Sequence, residues 1–153
     1  MSDDQLLQPN EVMIVRNSSV FALSPGGFFD RYQSRKRVGN FESGKVLISV
    51  FIPDQNGTFY SPFQQWDVNA WFGQSLDNKP FIATGASGHV FITDPEGYRI
   101  IEFTGEGEFV RTWGEFGVGD SELGLAAGLT VDQLGFVWVT DAGNNRILRY
   151  RLP

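Results

Sequence analysis

The 153-residue sequence predicts an all-β protein built from repeated antiparallel units with short strands. Three observations predict it. Phe and Gly are both abundant, at 14 and 18 residues, a composition suited to short strands joined by tight turns. No apolar pattern of 3.6-residue period persists beyond about two turns, so helices of ordinary length are not expected. A whole block is also written twice. IATGASGHVFITDPEGYRIIEF spans 82–103 and LTVDQLGFVWVTDAGNNRILRY spans 129–150, at a constant offset of 47 residues with no gap.

In chain order, MSDDQLLQPNE is acidic and has no apolar centre, so it is not a signal peptide. NEVMIV and SSVFALS read as strands, and GKVLIS at 44–49 echoes GHVFIT and GFVWVT of the repeat. Between them Arg31, Arg35, Lys36 and Arg37 form a basic run, read as a solvated loop. The stretch from Phe59 to Phe72 then carries six aromatics. Residues 1–80 are accordingly expected to be an irregular β-rich segment, with one degenerate unit and an aromatic connector. Residues 81–153 hold two clear units, 81–127 and 128–153. In each, an apolar run (VFIT or VWVT) that does not alternate predicts a strand covered on both faces. A turn follows, DPEGY or DAGNN, where Asp can accept backbone N–H groups, Pro95 presets φ, and Gly97, Asn144 and Asn145 tolerate left-handed backbone. A second strand, RIIEF or RILRY, completes the hairpin. FIAT or LTVD precedes it, and FVRTWG closes the first unit. The second unit lacks that outer strand.

A four-stranded meander with two apolar faces must lie between similar sheets, and radial stacking of such sheets is a β-propeller. The stretch from Gly88 to Tyr150 resembles consecutive NHL repeats. The shared features are the Gly-x-Val strand opening, Asp before the turn, Arg-Ile after it (Arg99-Ile100, Arg146-Ile147), and Trp113-Gly114 before a Gly-rich loop. It departs in LAAG, where the family usually has a proline, and in Gly97-Tyr98, where Asn is usual. The aromatic connector is similar, less specifically, to those before NHL blades in large bacterial envelope proteins. Since propellers typically need about four to eight blades, two clear blades imply a partial propeller. It would be completed by missing upstream chain or by further copies, and EVMIV is one candidate for the absent outer strand.

The candidate chemistry is sparse. A formal charge of −6 disfavours nucleic-acid binding. The absence of cysteine excludes disulfides and thiolate chemistry. No apolar run approaches the roughly 20 residues of a membrane-spanning helix, so no direct membrane insertion is expected. As written the chain reads as soluble and cytoplasmic by default, or extracytoplasmic if it is part of a larger envelope protein. His89, the one histidine, sits where the second copy has Phe136 and is read as structural. Asp94, Arg99, Asp141 and Arg146 recur and are read as frame residues, the Asp capping a turn and the Arg bracing the hairpin. Trp66, Trp71 and Phe72 are candidate binding residues, as stacking platforms for a glycan or anchors for a protein. No catalytic residue and no resident metal are expected. The reading is therefore a non-catalytic binding or scaffold module with a protein or glycan partner. The alternative, implied by the resemblance to lactonase-like propellers, is a calcium-dependent lactonase or esterase in which Asp132 could face the axis.

Overall fold

The structure is a computed structural model and describes residues 12–16, 19–25, 45–56, 58–70 and 78–152. Its strands are β1 (Val12–Arg16), β2 (Ser19–Pro25), β3 (Lys45–Pro53), β4 (Tyr60–Asn69), β5 (Ile82–Thr84), β6 (Val90–Asp94), β7 (Arg99–Phe103), β8 (Phe109–Trp113), β9 (Ala126–Val131), β10 (Phe136–Asp141) and β11 (Arg146–Arg151). They form three antiparallel sheets in chain order, β1-β2-β3-β4, β5-β6-β7-β8 and β9-β10-β11. The all-β expectation of propeller-type blades is met, and the last sheet has three strands.

Two findings differ from the sequence expectation. EVMIV does not complete the third sheet: β1 pairs with β2, from Val12 opposite Leu23 to Arg16 opposite Ser19. Closing so short a loop costs far less entropy than reaching a strand near the other end of the chain. The aromatic stretch is also not all connector, since Tyr60–Asn69 is the fourth strand of the first sheet. Gln64, Trp66 and Val68 turn inward while Gln65, Asp67 and Asn69 face out, the period of a half-covered strand. Asp54 closes the β3–β4 turn by accepting the N–H groups of Thr58 and Phe59.

The second sheet is sandwiched. On one side Ile82, Val90, Ile92, Ile101 and Phe103 meet Ile48, Val50, Val68 and Ala70 of the first sheet and its margin. On the other, Phe91 and Ile100 meet Leu123, Ala126, Val137 and Val139. All five residues of β6 are buried, which is why VFIT shows no alternation. Full burial of one such side chain contributes roughly 1.5–3 kcal/mol. The first strands of successive sheets are neighbours, β1 beside β5 and β5 beside β9, as radial stacking requires.

Candidate functional site

Asp94 is fully buried, accepts the Gly97 N–H on Oδ1 (3.1 Å) and pairs with Arg99 Nε on Oδ2 (2.8 Å). Arg99 also donates to the Asn69 carbonyl at the end of β4. Asp141, likewise fully buried, pairs with Arg146 Nε (3.0 Å) and accepts from Asn144 Nδ2 (2.8 Å). Its backbone donors are Gly124 and Leu125 of the linker, not residues of its own turn, which differs from the turn-cap expectation. The reason is proximity: Gly143 lies so close to Gly124 that a Cβ there would sit 2.5 Å from its carbonyl carbon. Arg146 in turn donates to the carbonyls of Val118, Gly119 and Glu122. Each arginine therefore ties its hairpin to chain that precedes its own sheet.

Burial pushes the Asp141 carboxyl up. Hydrogen bonds from the Leu125 N–H, Asn144, the Gly124 N–H and Arg146 outweigh that and hold it below the ordinary carboxylate value. A carboxyl depressed on folding stabilises the fold fully above its unfolded value of about 3.9, and that contribution fades as pH falls through the folded value. The urea midpoint is therefore expected to drop on acidification below about pH 4. The drop should be smaller in Asp141→Asn; equal drops in the two proteins would show that Asp141 is not the group responsible.

A second cluster was not visible in the repeat. Glu102 on β7 is 2% exposed, with Oε1 2.5 Å from His89 Nδ1 and Oε2 2.5 Å from Arg111 Nε. The Arg111 guanidinium also lies over the Trp113 ring, 6.0 Å from its centroid. These groups line a cleft of about 560 Å³ between the second and third sheets, with Phe91, Val131 and Leu134 on its apolar walls and Arg151 at its margin. Sequence reading placed His89 as structural; the structure gives it a carboxylate partner. Glu102, Arg111 and Arg151 were missed because none recurs across the 47-residue offset: Arg149 stands for Glu102, Thr104 for Arg151, and Arg111 has no counterpart, while Phe136 stands for His89. The available signal was a lone acid in the apolar run RIIEF.

A third feature is the outward face of the third sheet. The expectation that VWVT is covered on both faces fails: in β10 Val137 and Val139 are buried, but Thr140 is exposed and Trp138 only half-buried. Ile147 is 68% exposed, whereas its copy Ile100 is wholly buried by the third sheet. Among the described residues no fourth sheet covers this face. Arg149 stacks over Phe136 and Trp138 there, 4.5 and 5.4 Å from the ring centroids. Asp132 accepts the Trp138 Nε1–H (2.9 Å) on one oxygen and the N–H groups of Leu134 and Phe136 on the other. The bond from Trp138, with those from the backbone, holds its carboxyl below the ordinary value.

Of the aromatic candidates, Trp66 lies in the interface of the first two sheets, 6.2 Å from the Phe103 ring and over Gly107. Trp71, Phe72 and the basic run at 31–37 lie outside the described residues. Among the described residues no group of three or more His, Asp or Glu side chains is placed to hold a metal ion. No described helix is long and apolar enough to cross a membrane.

Residues 123–150, which comprise the third sheet, the end of its linker and the Asp141–Arg146 pair, match the family model of the NHL repeat. The resemblance read from the sequence is thus supported over these residues. NHL repeat-containing protein 3 of human is 27% identical over 79% of this chain and 31% of its own length. The mouse protein of the same name is 27% identical over 68% of the chain and 28% of its own length. The chain therefore spans about a third of the curated relatives it matches. Both are mammalian, so they lend nothing to the bacterial resemblance. Among solved structures, a gluconolactonase from Xanthomonas campestris covers 90% of the chain and 45% of its own, at 17% identity and a TM-score of 0.49. A streptogramin B lyase covers 72% and 52%, at 17% identity and a TM-score of 0.35. Neither bears on what this chain does.

Proposed function

We propose that this chain is a non-catalytic interaction module whose partner covers the outward face of the third sheet. The observation that carries the reading is Ile147, 68% exposed where the equivalent Ile100 is fully buried under a neighbouring sheet. The repeat specifies what fits: another sheet of the same kind, presenting aliphatic residues as Val137 and Val139 do to Phe91 and Ile100. The face also carries Arg149, which stacks over Phe136 and Trp138, in a chain of net charge −6, so a second copy is complementary to it in charge. We therefore take a second copy as the occupant. Support for a binding role over a hydrolytic one comes from the acids. Asp94, Asp132 and Asp141 already accept from the chain's own donors, and a calcium ion would have to displace those bonds.

The test is solution mass by light scattering from micromolar to millimolar chain. Wild-type protein is expected to rise to a multiple of 17.1 kDa and Ile147→Asp to remain at the monomer mass. A monomer throughout, or association unchanged by Ile147→Asp, would overturn the reading.

A further inference from the structure

The cleft between the second and third sheets is separate from the open face and does not depend on how that face is used. Its floor is an ordered polar chain, His89 to Glu102 to Arg111, in which both oxygens of a 2%-exposed carboxylate are engaged. A carboxylate this buried is tolerated because it is paired. It also fixes the orientation of the two side chains bound to it. Glu102 holds Arg111 through Nε, and the Trp113 ring lies beneath the guanidinium. The terminal amino groups of Arg111 make no hydrogen bond within the described residues. Arg151 likewise has no ion pair within the described residues and stands at the margin of the same cleft. One of the two arginine charges is balanced by Glu102, so the lining keeps a net positive charge. Apart from Ser87, the remaining wall is apolar, chiefly Phe91 and Val131. A volume of about 560 Å³ is within the range of small-ligand sites.

We infer that this cleft is a binding site for an organic carboxylate with an apolar body. The planar, pre-oriented guanidinium of Arg111 takes the carboxylate through its free N–H groups, since a fork of that geometry matches two carboxylate oxygens. Arg151 supplies the second charge at the mouth. The apolar body lies against Phe91 and Val131, where it displaces water from apolar surface. Glu102 acts as a positioning residue for Arg111 and repels an anion that enters too deep. His89 shares that anchor through Nδ1, which leaves Nε2 as the ring nitrogen free to meet a ligand.

The experiment is calorimetric titration of the full chain with 3-phenylpropionate, with its neutral amide and inorganic phosphate as comparison probes. The carboxylate is expected to saturate, with the amide and phosphate each weaker by about tenfold or more, the scale of one charge-assisted hydrogen bond or of the buried ring. Arg111→Gln and Arg151→Gln should each weaken the carboxylate by about tenfold. Arg149→Gln, on the other face, should leave it unchanged. Arg151 is exposed and unpaired within the described residues, so its variant keeps the test valid if Arg111→Gln unfolds. Equal affinity for acid and amide, phosphate as the tightest probe, no saturation, or wild-type affinity in Arg151→Gln would each overturn the assignment. All of these outcomes are independent of oligomeric mass.

Discussion

Asp141→Ala is expected to destabilise the protein by about 3–5 kcal/mol, the range for removing one partner of a buried, hydrogen-bonded ion pair. Asp141 has no solvent exposure and accepts from Gly124, Leu125, Asn144 and Arg146. Its loss leaves two linker N–H groups without their acceptor and the Arg146 charge without its counter-ion. In a chain of this length the melting temperature should fall on the order of 10 °C. Chemical denaturation of wild type, Asp141→Ala and Asp132→Ala at neutral pH measures it. Asp132 caps its own turn at the surface, so its variant should differ from wild type far less. Comparable losses in the two variants would mean that the linker contact adds nothing beyond turn capping.

Gly114→Ala is expected to be nearly as costly, about 2–5 kcal/mol. Gly114 has φ of +103°, where an L side chain is strained by roughly 1–2 kcal/mol. A Cβ there would also lie 2.7 Å from the Tyr98 carbonyl oxygen and 2.9 Å from Leu123, both of them packed structure, so overpacking adds roughly 1–3 kcal/mol. The glycine of Trp113-Gly114 is thus required because the chain leaves the second sheet there, pressed against the previous hairpin. Denaturant midpoints for Gly114→Ala and for Gly135→Ala separate the two effects. Gly135 also has positive φ, but nothing lies within 4 Å of its Cβ position. Gly135→Ala should show the strain alone and Gly114→Ala clearly more; equal losses would show that crowding at Gly114 is relieved by small shifts.

What the sequence made legible was whatever recurs. The 47-residue offset located β5 to β7 and β9 to β11, because Val90 and Val137 fill equivalent core positions and the pairs Asp94–Arg99 and Asp141–Arg146 brace equivalent hairpins. Tyr98 illustrates the limit. It adopts φ of +53° where its copy Asn145 has +51°, and a bulky residue gives no local hint of left-handed backbone. The first sheet was harder to read because its β2–β3 and β3–β4 connections carry no Asp-turn-Arg-Ile signature; long-range register, not turn chemistry, organises it. The cleft was invisible for the opposite reason. Glu102, His89, Arg111 and Arg151 acquire meaning only where the copies diverge, and a search for matching positions passes over them. The linker partners of Asp141 were equally out of reach, since Gly124 and Leu125 are 17 and 16 residues away in sequence.

Arg146 holds carbonyls of residues 24 to 28 positions before it. On a ribosome, which releases chain from the N-terminus onward, the linker therefore emerges well before the guanidinium that anchors it. The second sheet can complete its own strand pairing in that interval, but Phe91 and Ile100 stay wet until β10 and β11 follow. Translation order becomes dehydration order: each nascent sheet shows an apolar flank to water or to chaperones for as long as the next hairpin takes to arrive.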